Sequence, residues 1–92
     1  MIESMESPIV IDLKQIYQTI TGNEAKLADL ERYVARAEEI AGKGNIVILT
    51  GGAPIWMYLK IAHALHGKVR KLLYDAPGQG IKNLEIFSHD PF

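Results

Sequence analysis

At 92 residues the chain is expected to form one domain, 1–92, around one core, because a chain this short buries only roughly two thirds of its unfolded surface. Hydrophobic residues make up 48% of it, which argues against disorder, and 10 Lys and Arg against 11 Asp and Glu argue against a protein that wraps long DNA, duplex DNA included, or long RNA, while leaving a small anionic ligand allowed. Cysteine is absent, which excludes a disulfide framework and a thiolate metal site and points to a reducing, cytoplasmic compartment.

The opening stretch MIESMESPIV carries two Glu and no basic region, so it is not expected to be a signal peptide, and no apolar run approaches membrane-spanning length. Pro8-Ile9-Val10-Ile11-Asp12 reads as a short strand; Leu13 to Ile20 fits either more strand or a turn and helix. Thr21-Gly22-Asn23 is a break, and Asn23 is placed to cap a long surface helix from Glu24 to Ala41. Leu27, Leu30, Val34, Ala37 and Ala41 recur at three and four along it as the expected buried stripe, and Gly42-Lys43-Gly44 ends it.

Ile46-Val47-Ile48-Leu49 is continuously apolar, the signature of a strand covered on both faces. Thr50-Gly51-Gly52-Ala53-Pro54 opens a helix running to Leu65 or His66 whose one charged residue is Lys60. So apolar a helix is expected to pack on the sheet and against another subunit, giving a homodimer or homotetramer. Gly67 stops it, Val69 to Tyr74 is a second strand, Asp75 to Gly80 is a turn-rich loop, and Leu84 to Ser88 is a last strand. The predicted fold is α/β: a small mixed sheet with a central parallel β-α-β unit, Ile46 to Tyr74, a right-handed crossover, and a long N-terminal surface helix.

Three groups of residues could carry chemistry. Thr50, Gly51 and Gly52 make a glycine turn between a buried strand and a helix start, where unpaired amides attract phosphate; a tight turn without a ligand is the other reading. The turn is neither a P-loop nor a three-glycine dinucleotide fingerprint. His63 and His66 lie three apart on one helix, Asp75 follows the next strand and His89 follows the last, so the four could converge for acid/base work or hold a divalent ion; alternatively His63 is structural and His66 caps the helix end. Trp56 and Tyr58 could stack on a ligand or simply pack, Trp56 lying where it could border the same cleft, and Lys68, Arg70 and Lys71 form a local basic excess that suits a phosphate-rich ligand or a solvated strand entrance. Asp12, Glu24 and Asp90 read as surface or capping residues.

The series Gly51-Gly52-Ala53-Pro54-Ile55-Trp56, His63, His66, Tyr74-Asp75, the Pro77 and Gly80 loop, and Ser88-His89 resembles the small CRISPR-associated ring nucleases of type III systems, the compact α/β group lacking a CARF domain. The resemblance covers about half the chain, Gly44 to His89; the loop after Asp75 is longer than in that family, and a charged helix stands where more strand is usual. It implies binding and cleavage of cyclic tetra-adenylate to switch off signalling, manganese as cofactor, and activity on adenylate RNA. It further implies His66, Asp75, His89 and His63 as catalytic residues, with Asp75, His89 and His66 as metal ligands and Thr50, Gly51, Gly52, Trp56 and Lys68 touching the ligand. A cyclic-nucleotide binding module that does not cut is the competing expectation, and a purely structural, oligomer-forming domain is a third.

Overall fold

In the computed structural model, which describes residues 7–89, four strands form one sheet in the order β1 (Ile9–Asp12), β2 (Ile46–Thr50), β3 (Lys71–Ala76), β4 (Ile81–Ser88). β1, β2 and β3 are parallel neighbours; β4 runs antiparallel beside β3. The connection from β1 to β2 carries helices α1 (Leu13–Thr21) and α2 (Leu30–Ala41), and that from β2 to β3 carries α3 (Ile55–Leu65). Crossovers of one hand between strands added in one direction put their helices on the same face. The core shows that arrangement: Leu13 and Ile16 of α1, Tyr33, Ala37 and Ala41 of α2, and Met57, Ile61 and Leu65 of α3 all pack with Ile11, Val47, Leu49 and Leu72 of the sheet. The small mixed α/β class expected from the sequence is therefore the fold.

Several local expectations need correction. Of the two readings for Leu13 to Ile20 the helical one holds, as Leu13–Thr21, started by the expected cap Asp12, whose carboxylate accepts the amides of Lys14 at 2.9 Å and Gln15 at 3.3 Å. That cap satisfies two of the helix's unpaired first-turn donors. The long helix from Glu24 does not form: a bend over Gly22–Glu24 and a 3-10 turn over Leu27–Asp29 precede α2, and Asn23 caps nothing in it. The reason is Tyr33, wholly buried, whose hydroxyl lies 2.7 Å from Thr21 Oγ1 and accepts the Lys26 amide at 2.7 Å, pinning the connection across the helix's own approach. The buried stripe turns accordingly to Tyr33, Ala37 and Ala41, and Leu27 is left exposed.

β2 is the centre of the parallel trio, yet helices cover only one of its faces. Val47 and Leu49 join the core, while alternation sends Ile48 to the opposite face, where Val10 and Leu73 flank it in register and leave it 7% exposed. Its continuous apolar run thus reflects cover from neighbouring strands as much as from a second layer. The second strand of the central unit starts at Lys71, with Val69 held in an isolated bridge to His66, and runs through Ala76. The loop after it shrinks to a 3-10 turn over Pro77–Gln79, and β4 begins at Ile81 with two register shifts against β3. Met1 to Glu6 and Asp90 to Phe92, including the reading of the opening stretch and of Asp90, lie outside the described residues. No described helix is long and apolar enough to cross a membrane.

Candidate functional site

The carboxyl ends of β2 and β3 open into a cleft of about 460 Å³ lined by Thr50, Gly51, Gly52, Tyr74, Asp75 and the Pro77–Gln79 turn. Its floor is a set of short bonds. The Thr50 hydroxyl donates to the Asp75 carbonyl at 3.0 Å, tying the two strand ends together, and the Tyr58 hydroxyl donates to the Gly51 carbonyl at 2.6 Å. Tyr58 and Tyr74 meet edge to face with ring centroids 5.4 Å apart. Burial, with smaller contributions from Tyr74 and Asp12, pushes the Tyr58 phenol up to about 12, so it keeps its proton and remains a donor. Asp75 Oδ1 in turn accepts the amide of Asn83, at 2.5 Å, from a residue with φ of 54°.

Gly51 is required by both conformation and space. Its φ is +102°, and a Cβ there would lie 2.1 Å from Asp12 Oδ1 and 3.1 Å from the Leu13 amide nitrogen. Asp12 therefore packs against the glycine turn as well as capping α1. Gly52 has open space around it and faces solvent, leaving the turn open to an incoming group.

The imidazoles are elsewhere. His66 follows the last turn of α3, its amide donating to the carbonyls of Ala62 and His63, and α3 runs antiparallel to the parallel strands, which puts its end at their amino edge. β4 returns there too: the His89 amide donates to the Arg70 carbonyl at 2.7 Å. His66 and His89 consequently stand 4.6 Å apart between ring centroids, edge to face, with Phe87 at 4.8 Å and 5.1 Å from them. From Arg70 to Asp75 is five residues of extended chain, roughly 16 Å. Within one chain the sequence-predicted constellation is thus split into two pairs of elements at opposite sheet ends: Thr50, Gly51, Gly52 and Asp75 at one, His66 and His89 at the other.

The remaining predicted residues belong to neither set. His63 lines a groove between α2 and α3 with Glu31, Glu38 and Lys60, Trp56 is partly buried against the core, and Lys68 is placed near the α2 side, beside Arg32 and Arg36. Among the described residues no group of three or more His, Asp and Glu side chains gathers closely enough to hold a metal ion, so the donor set Asp75, His89 and His66 does not fit manganese within a single chain. Tyr74 is the cleft residue that sequence reading missed, and Tyr58, expected to pack or to stack on a ligand, lines the cleft with its hydroxyl bonded to Gly51. The usable signal was positional: Tyr58 lies one helical turn into α3, and Tyr74 is the last residue before Asp75 on the strand face that carries Leu72.

Family models, curated proteins and solved structures were each compared with the chain, and none of the three gives a match.

Proposed function

We propose that this domain is a ring nuclease that holds cyclic tetra-adenylate at the strand-end cleft and cleaves its phosphodiester bonds, ending type III CRISPR signalling in the cytoplasm. The observation that carries the reading is the convergence of Thr50, Gly51, Gly52 and Asp75 in one open cleft at the carboxyl ends of parallel strands. Open α/β sheets take their ligands at that edge, and the volume falls in the range of roughly 300–1,000 Å³ usual for small-molecule sites. Asp12 is turned to the α1 amides and Asp75 to Asn83, which leaves the glycine turn as the place for phosphate charge. The choice of cyclic tetra-adenylate rests on the resemblance of the residue series from Gly51 to His89.

In the proposed reaction the ribose 2′-oxygen attacks the adjoining phosphorus in line and the bond from phosphorus to the 5′-oxygen breaks. One imidazole accepts the 2′-hydroxyl proton and the other, protonated, returns one to the departing 5′-oxygen; the products are a 2′,3′-cyclic phosphate and a 5′-hydroxyl. We assign these roles to His66 and His89, brought to the cleft by a neighbouring copy, because within one chain they stand at the far edge of the sheet. Asp75 orients whichever imidazole arrives. Manganese would need donors from two copies.

The separation of the imidazoles from Asp75 favours one second reading, a module that captures the cyclic nucleotide without cutting it. Labelled cyclic and linear tetra-adenylate, incubated with and without manganese, separates the two. Turnover by the native chain should fall at least tenfold in His66→Ala and in Asp75→Ala, and an equal mixture of the two variants should regain part of it by pairing an intact cleft with an intact imidazole edge. Ligand recovered whole from the native chain replaces cleavage by capture; unchanged turnover in either variant removes that residue's role.

A further inference from the structure

Four strands lie under a helix layer that is only three strands wide, so the helix-side face of β4 is left as a step beside α3. Among the described residues six large apolar side chains are exposed, and four of them stand on this one step: Ile55 at 77% and Leu59 at 64% along the outer flank of α3, Leu84 at 50% and Ile86 at 48% on β4. Between helix and strand runs an apolar groove of about 260 Å³, floored by Leu72 and Tyr74. It falls below the range of roughly 300–1,000 Å³ typical of small-molecule sites and offers almost no polar partner, which suits side chains better than a ligand.

We propose that a second copy of this chain fills the step across a two-fold axis, each α3 lying over the partner's β4. A two-fold interface must be self-complementary, and here one surface carries both halves of the fit: a ridge, Ile55 and Leu59 spaced one helical turn apart, and beside it a groove of matching apolar character. A formal charge of −1 gives two copies little reason to repel each other. Ile55, Tyr58 and Tyr74 line both the groove and the strand-end cleft, so pairing also fixes one wall of the cleft. This contact is distinct from any that would deliver the imidazoles, and its test uses no nucleotide, so it stands or falls apart from the reading above.

Sedimentation velocity of the native chain at high micromolar concentration should show a species of twice the 10.2 kDa chain mass. Leu59→Glu and Ile86→Lys should each give a monomer with unchanged far-ultraviolet circular dichroism, whereas Val10→Lys and Leu27→Glu, exposed apolar positions off the step, should leave the dimer in place. As the chain has no cysteine, an equal mixture of Leu59→Cys and Ile86→Cys should form a cross-link between copies under mild oxidation, and a mixture of Leu27→Cys and Ile86→Cys should not. A monomeric native chain, which would leave the step to another partner, overturns the proposal. A dimer that survives both step substitutions overturns it equally.

Discussion

The two ends of the sheet solve different problems with different materials. At the carboxyl end of β2 and β3 the backbone is fixed from several sides: Gly51 against Asp12, Thr50 onto Asp75, Tyr58 onto Gly51. At the amino end three aromatic rings gather, His66 edge to face with both Phe87 and His89, with His66 and His89 exposed and a glycine, Gly67, that has open space around it. The cleft thus stands at one end of the sheet and the His66 and His89 rings at the other, and the contrast teaches that the two groups sit on elements that run in opposite directions and do not meet within one chain.

The contrast is sharpest in the glycines. Gly51→Ala combines a positive φ with a clash against a capping carboxylate and should cost about 2–3 kcal/mol in urea denaturation. Gly67→Ala, with φ of +98° and nothing nearby, should cost about 1 kcal/mol from backbone strain alone. Equal losses at the two positions would break the comparison. Asp12→Ala should also cost about 1 kcal/mol as a lost N-cap, and combined with Gly51→Ala it should cost less than the two separately, since removing the carboxylate makes room for the new methyl.

At Tyr58 the expected effect depends on pH. Its phenol is pushed up from 10.0 to about 12, chiefly by burial, so the folded chain holds this proton more tightly than the unfolded one. The stability that follows is complete below pH 10 and is lost as the pH climbs from 10 to 12. Melting temperature followed across that window should decline in the native chain, and Tyr58→Phe should flatten the decline while costing about 1 kcal/mol at neutral pH through the lost bond to Gly51.

Much of the fold was legible because local pattern and tertiary role agreed. β1, β2 and α3 carry β-branched runs, glycine stops and a proline start that admit few other readings. The start of α2 was not legible, because the bond from Tyr33 to Thr21 and Lys26 is a tertiary event that the three-and-four spacing from Leu27 onward cannot show. The split of the site is legible in the order of the elements. In a strand-helix-strand unit the helix returns along the strand, so eleven residues of α3 carry His66 roughly 16 Å from Gly51, while β3 carries Asp75 back again. Spacing along α3 told which residues share a side, and only the direction of travel told which end of the sheet they reach.

The outer border of β4 has a further consequence. Two register shifts against β3 and the left-handed backbone at Asn83 interrupt its ladder, and Lys82 and Glu85 place charge along it. A foreign strand arriving at that border finds no straight run of amides to zip onto. Open-ended, fibre-like growth is discouraged there.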